Sequence, residues 1–214
     1  MLEIDSGPTL ALQRRQHLAF PGDRMGVIHR VEEGWLARYN RLPSGHRQIT
    51  GIYLPGDFCE PQWIIDPVSA EWITALSPAR TTAIPLESID SGSSVGSEKR
   101  RGILSDLIRL IARQSAFVVA LGRKSGIERL TTILSDLYNR ARRAGIASNQ
   151  LVMPLTQSDL ADMIGLTPIH VNRILKELRE NGVLEVSRGS VSVVNPEMLK
   201  FVTENGYLGS LRAV

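Results

Sequence analysis

The segment LTQSDLADMIGLTPIHVNRILKEL, Leu155 to Leu178, constrains the fold more than any other part of the chain. Thr156 and Asp159 have the spacing of a capping box, which starts a helix. Leu160 and Ile164 supply its inner side, and Ala161 is small where a second helix must cross closely. Gly165 permits a tight turn, Leu166 plugs it, and Thr167 caps the next helix with Pro168 in the first helical position, where no N–H is needed. Val171, Ile174, Leu175 and Leu178 then return every three or four residues to one inward face. Counting Gln157 as position one, the small residue falls at five, the glycine at nine and the aliphatics at four, eight, ten, fifteen and eighteen. Each is a steric requirement of two helices packed steeply across a very short turn, so the spacing predicts a helix-turn-helix whose second helix starts at about Thr167.

The outer face of that second helix carries Pro168, Ile169, Asn172, Arg173 and Lys176. In a helix-turn-helix this face enters the major groove of DNA. Arg173 can pair with guanine through two hydrogen bonds and Asn172 with adenine. Lys176, Gln157, Thr156, His170 and Arg188 are expected at the phosphate backbone, which positions a protein without reading sequence. The competing role for Arg173 is an ion pair with Glu177, four residues on. Downstream, Val183–Val186 and Val191–Val194 flank Ser187-Arg188-Gly189-Ser190 and read as a β-hairpin, a wing with Arg188 at its tip. Asn195-Pro196-Glu197 then opens a short helix carrying Leu199 and Phe201.

Upstream, residues 20 to about 86 alternate strand-like runs (MGVIHRV, WLARYN, RQITGIYL, EWITAL, RTTAIP) with turns at Gly22, Gly34, Gly45 and Gly56, spaced 11 or 12 residues apart. This rhythm predicts an antiparallel barrel, sandwich or roll, broken between Pro61 and Pro67 by a loop or short helical turn. A Ser/Gly-rich stretch, Ser88 to Ser97, separates it from a long helix to about Leu121. On that helix Leu104, Leu107, Ile111, Gln114, Val118 and Leu121 follow each other at steps of three and four, the seam of a coiled coil. Ile103, Leu110 and Phe117 form a second apolar line. One face can pack on its own domain and the other on a second copy, with Gln114 fixing register; the alternative is a helix buried within one subunit. Gly122 is expected to end this helix, and Ser125 with Glu128 to cap the next, which runs through Leu130, Ile133, Leu134 and Leu137 to Gly145. Gly122–Ser125 would be a hinge.

Bulk properties agree with a two-part chain. With 43% hydrophobic residues in 214, the chain can bury two modest cores or one large one. Residues 1–96 hold 8 Lys/Arg against 11 Asp/Glu, and residues 97–214 hold 17 against 11, so the basic half is the one expected to meet a polyanion. Neither a secretory signal nor an apolar run near the ~18 residues of a membrane span is present, which points to the cytoplasm. Cys59, the one cysteine, excludes an internal disulfide and a multi-cysteine zinc or iron–sulfur site. Beside Glu60 it lacks the cationic neighbour of a reactive thiolate and is expected to be buried and structural, with redox sensing as the alternative.

Roll, long helix, capped helix and winged helix in this order resemble the cyclic-AMP-receptor/FNR family of bacterial regulators. The residues that carry the resemblance are Pro55-Gly-Asp-Phe58 in the roll, LGRKSGIER from Leu121 to Arg129, LTQSDLA from Leu155 to Ala161, and GLTPIHVNR from Gly165 to Arg173. It spans about residues 15–214. It implies an α+β chain: a cyclic-nucleotide-binding-like antiparallel β-roll over 1–96, a dimerisation helix over 97–122 and a winged helix-turn-helix domain over 123–214. Homodimerisation, a near-palindromic double-stranded operator and RNA polymerase as a further candidate partner are implied with it.

The departures bear on the ligand. Members that bind cyclic nucleotides carry Gly-Glu-Leu after the Gly-Asp-Phe and a later phosphate-holding arginine, whereas here Cys59-Glu60-Pro61-Gln62 and Val68-Ser-Ala-Glu-Trp72 stand, with no arginine between Arg47 and Arg80. A bound phosphate would lack its partner, so a cyclic nucleotide is not expected. The cysteine cluster of oxygen-sensing members is absent, and His17, His29 and His46 are isolated, so neither an iron–sulfur cluster nor haem is expected. In the recognition helix Pro168 and Ile169 replace polar base-reading residues, which implies a different operator. Two readings of the roll stay open: a sensor of an unidentified small-molecule effector, or a ligand-free dimer or partner scaffold. A third, a cupin-like metalloenzyme with a DNA-binding tail, lacks the His-x-His pair such sites use. No catalytic or metal-ligating residue is assigned.

Overall fold

The structure, a computed structural model, describes residues 7–89, 93–146 and 151–206. They form two compact units. The first takes in the described residues up to Arg41 together with Ile49–Gln114. The second takes in Leu42–Gln48 and the described residues from Ser115 on.

The first unit contains β1 (Thr9–Leu12), β2 (His17–Ala19), β3 (Val27–Glu33), β4 (Leu36–Arg41), most of β5 (Arg47–Tyr53), β6 (Phe58–Cys59), a 3-10 turn (Pro61–Ile64), β7 (Trp72–Ala75), β8 (Ala79–Pro85) and α1 (Leu86–Ile89). The strands form two four-stranded sheets, ordered β1-β8-β3-β6 and β2-β7-β4-β5. The β1–β8, β3–β8, β3–β6, β2–β7 and β4–β7 pairs are antiparallel. Both sheets turn alternate side chains into one core, where Leu12, Ile28, Ile84, Leu36, Ile73 and Trp63 meet. The predicted roll is thus present, with β1, β2 and β6 in addition to the five strands read from the sequence.

α2 (Ser94–Arg123) is the long helix. Its Ile103 (0% exposed) and Leu110 (7%) are buried, and Ile103 closes the core of the first unit. Gly122 does not end it: the helix continues to Arg123, and the link to α3 (Gly126–Arg143) is Lys124-Ser125. Part of the Ser/Gly-rich stretch is also helical, since Ser94–Ser97 is the first turn of α2; residues 90–92 lie outside the described ones.

The second unit continues with α3, β9 (Leu151–Met153), α4 (Gln157–Ile164), α5 (Pro168–Glu180), β10 (Leu184–Ser187), β11 (Ser190–Val193) and α6 (Pro196–Asn205). Ser125 and Glu128 form the expected capping box. The hydrogen bonds between these two residues also hold the Glu128 carboxyl below the usual carboxylate range. The hairpin β10–β11 pairs antiparallel, and β9 adds a third strand to it. Among the described residues no helix is long and apolar enough to cross a membrane.

Candidate nucleic-acid interface

α4 begins where Thr156 leaves extended backbone. The Asp159 N–H donates to Thr156 Oγ1 (3.1 Å), and the Thr156 N–H donates to Asp159 Oδ2 (2.9 Å). Asp159 is buried and also accepts from Arg47 Nη2 (2.6 Å), while Arg47 Nε donates to Asp162 Oδ2 (2.8 Å). Gln48 Nε2 donates to the Met163 carbonyl (3.0 Å), and Arg129 Nη1 to that of Ile164 (3.3 Å). The carbonyl end and the acidic first turn of this short helix are therefore both tied down by side chains from elsewhere in the unit.

The chain leaves α4 at Gly165 in the left-handed conformation (φ 67°, ψ 36°), its N–H donating to the Ala161 carbonyl. Thr167 then caps α5, accepting from the His170 N–H (3.4 Å), with Pro168 in the first turn. Val171, Ile174, Leu175 and Leu178 are buried, as their spacing predicts.

On the opposite side Thr167, Pro168, Ile169, His170, Asn172, Arg173 and Lys176 are all exposed. Ile169 is 82% exposed. The alternative Arg173–Glu177 ion pair is absent among the described residues; the pair on this helix is instead Lys176 with Glu180, at 3.8 Å and open to water. His170 differs from its neighbours, because its Nδ1 lies 3.1 Å from Thr167 Oγ1 and its ring belongs to the cap. Thr156 and Gln157 are half-buried at the start of α4. Arg188 is exposed in the two-residue turn of the hairpin. Between the α4 start and that turn lies a cleft of about 300 Å³, lined by Thr156, Gln157, Ser158, Ser187, Arg188 and Gly189.

The six seam residues of α2 do not share one environment. Ile111 (61%) and Val118 (66%) are strongly exposed, and Leu104, Leu107, Gln114 and Leu121 are half-buried. Ile108 and Val119 are exposed as well and widen the apolar stripe beyond the seam that the 3-4 spacing picks out. Gln114 Nε2 donates to the Thr50 carbonyl (2.6 Å), so its amide is engaged within its own chain.

Sequence reasoning missed a buried polar cluster inside the roll. Arg38 Nη1 faces Glu60 Oε1 at 3.4 Å and Arg38 Nε faces Glu71 Oε2 at 3.8 Å, with Arg38 and Glu60 nearly inaccessible. Tyr53 and Gln62 donate to Glu60, and Thr50 to Glu71. Burial raises the Glu60 pKa, against the pull of Arg38, and drives the Tyr53 hydroxyl well up. For Arg38 burial opposes the charge, but Tyr53, Glu60 and Glu71 outweigh it and the pKa rises. Arg38 Nε, Gln62 Oε1 and Trp63 Nε1 are buried without a hydrogen-bond partner. Cys59 is fully buried and its thiol is pushed well up, by burial first and then by Glu60 and Asp57. The only local signal for Arg38 was a cation inside an apolar strand, Leu36–Arg41, whose first four residues are all buried.

Residues 128–202 match the model of the Crp-like helix-turn-helix domain. The match continues over most of the chain in sequence relatives. Transcriptional activator protein FnrA of Stutzerimonas stutzeri is 26% identical over 187 residues, 86% of this chain and 75% of that protein. Electron transport regulator A of Shewanella oneidensis is 24% identical over 194 residues, 91% and 78%. Over residues 128–202 the chain matches a Crp-like helix-turn-helix domain, and over most of its length it is similar to regulators of the cyclic-AMP-receptor/FNR kind. The matched domain is the DNA-binding helix-turn-helix of transcription regulators. The fold agrees: FixK2 from Bradyrhizobium japonicum superimposes with a TM-score of 0.77 at 21% identity, covering 91% of this chain and 96% of that one. TTHA1359 from Thermus thermophilus, a transcriptional regulator of the CRP/FNR family, gives 0.72 at 17%, covering 92% and 99%.

Proposed function

We propose that two copies of this chain pair along the exposed stripe of α2 and set two α5 helices into successive major grooves of a near-palindromic operator. Arg173 reads guanine and Asn172 adenine. Thr167, Pro168 and Ile169 face the groove at the helix entry, and Lys176, His170, Gln157, Thr156 and Arg188 meet phosphates. The observation that carries this reading is Arg173: exposed, without an ion-pair partner among the described residues, and opposite a fully buried helix face. The cleft between the α4 start and Arg188 supports a phosphate position, since helix N-termini present free N–H groups. Selection of bound sites from random DNA is expected to return half-sites about 34 Å apart, centre to centre, with affinity falling steeply with salt. Arg173→Ala should weaken binding by roughly 1–3 kcal/mol and relax one base position per half-site. Unchanged affinity and preference would refute the assigned reading face. Work on the chromosome implies the cytoplasm, with RNA polymerase as the partner where the regulator activates.

The roll does not fit the cofactors of the wider family. One buried thiol, Cys59, cannot supply the cysteines of an iron–sulfur cluster. Arg38 is the buried cation, but Glu60 and Glu71 already neutralise it and would repel a cyclic-nucleotide phosphate. The unpartnered Trp63 Nε1, Gln62 Oε1 and Arg38 Nε favour a small, uncharged polar effector. The mutual pairing of Arg38, Glu60 and Glu71 favours the second reading, a roll that works as a scaffold without a ligand. Thermal-shift measurements on the full chain separate the two. A ligand at 100 times its Kd adds about 2.7 kcal/mol of stability, and cyclic AMP is expected to add none.

A further inference from the structure

We propose that Ile169 is a specificity-determining residue that packs against the 5-methyl group of a thymine at the leading edge of each half-site. This rests on the proposed operator reading and adds to it an apolar contact on a mostly polar reading face.

Three observations carry it. Ile169 is the most exposed of the large hydrophobic side chains among the described residues, at 82%. It is the second residue of α5, and with Asn172, Arg173 and Lys176 it stands at steps of three, four and seven, on one stripe of the helix. Its surroundings also differ from an apolar docking patch. Thr167, His170, Asn172 and Arg173 surround it in sequence, all exposed and polar, so only Pro168 beside it is apolar.

The chemistry of the groove then selects the partner. The leading residues of a recognition helix are the ones that touch base edges. Every base edge in the major groove offers hydrogen-bonding atoms, and thymine adds the one apolar group, its methyl. Isoleucine cannot hydrogen-bond, so against guanine, adenine or cytosine it would cover polar atoms without replacing their water, which is unfavourable. Against thymine it removes two apolar surfaces from water. The position is also rigid. Thr167 caps the helix, Pro168 fixes the backbone before Ile169, and a β-branched side chain in a helix keeps essentially one rotamer, so little freedom is lost on contact.

Replacing thymine by uracil deletes the methyl and nothing else, which gives the test. On the selected operator, uracil is placed at each thymine in turn, in both half-sites, and affinity is measured for the full-length wild type, Ile169→Ala and Ile169→Val. One thymine position is expected to show a loss of about fourfold per methyl with the wild type, a smaller loss with Ile169→Val, and none with Ile169→Ala. Circular dichroism of Ile169→Ala should match the wild type, since the side chain has little protein contact to lose, and guanine preference at the Arg173 position should persist. A uracil penalty that survives unchanged in Ile169→Ala, or no uracil penalty at any position, overturns the thymine contact while the operator reading stands. Absence of any sequence-specific binding overturns both.

Discussion

Two glycines in the same backbone region give a quantitative check on how the recognition helix is set. Gly165 (φ 67°) makes the turn between α4 and α5, and Gly34 (φ 75°) the turn between β3 and β4. An added Cβ at Gly165 would meet no atom within 4 Å, whereas at Gly34 it would fall 2.2 Å from the Pro78 carbonyl oxygen and 2.7 Å from Ala79 Cα. Left-handed backbone costs an L-residue about 1–2 kcal/mol. Alanine recovers about 0.4–1 kcal/mol by restricting the unfolded chain. Gly165→Ala should therefore lose about 1 kcal/mol, and Gly165→Asn less, because asparagine tolerates this conformation. Gly34→Ala adds overpacking of about 1–3 kcal/mol against backbone, which cannot swing aside as a side-chain tip can, and should lose roughly 3 kcal/mol or more. Trp35, Trp63 and Trp72 all lie in the first unit, so urea titration followed by tryptophan fluorescence reads Gly34→Ala. Far-ultraviolet circular dichroism reads Gly165→Ala through the helices. Equal losses for the two alanine variants, or an asparagine at 165 no better than alanine, would refute the division between backbone strain and crowding.

Three further outcomes follow from the same geometry. Burial takes the His29 imidazole pKa down to about 4 from 6.5. Neutral in both states at pH 7, it begins to cost stability below 6.5, where only the unfolded chain gains the proton, and the loss levels off near pH 4 at about 3 kcal/mol. In His29→Gln, which keeps a polar group beside Thr81 Oγ1, the fluorescence-monitored stability should vary less steeply between pH 6.5 and 4. Val118→Asp with Ile111→Asp should shift the sedimentation of the pure protein toward monomer and leave its dichroism unchanged, because both side chains are mostly exposed. Thr167→Ala should lose about 1 kcal/mol of cap stability in urea titrations and release the His170 ring; no change in stability would refute the cap.

What could be read from the sequence divides by the range of the interaction that makes it. The helix-turn-helix was fully legible because its determinants lie within four residues of one another: Thr156 with Asp159, Gly165 after Ile164, Thr167 before Pro168. The β10–β11 hairpin was legible for the same reason. β9 was not, since three residues gain their stability from Val191–Val193, some 40 residues away. β1 likewise exists through pairing with β8, and β6 has two residues. On α2 the 3-4 spacing located the buried line of Ile103 and Leu110, but not the full exposed stripe, which includes Ile108 and Val119. Gln114 shows why: heptad spacing puts its amide in a seam that faces a partner helix, whereas a carbonyl of β5 lies within reach in the same chain. Glycine identity alone predicts a terminator at Gly122, but its φ is not positive, and helix ends at glycine depend on that conformation. The Arg38 cluster was invisible because its members come from residues 38, 53, 60 and 71, which only the sheet topology brings together.

The recognition helix separates two kinds of residue. Thr167, Pro168, Val171, Ile174, Leu175 and Leu178 fix where α5 lies, and each is either in the cap or buried. Ile169, Asn172 and Arg173 are exposed, and the structure gives their side chains no hydrogen bond or ion pair among the described residues. Surface positions of that kind usually change stability by no more than about 0.5 kcal/mol when substituted. If the proposed reading face is right, a regulator built this way can exchange its operator by altering three side chains while the turn at Gly165 and the cap at Thr167 hold the helix in place. On the proposed reading, the apolar side chain of Ile169 is one of these three. At 82% exposed, Ile169 can be exchanged to suit one base without drawing on any contact that keeps the helix folded.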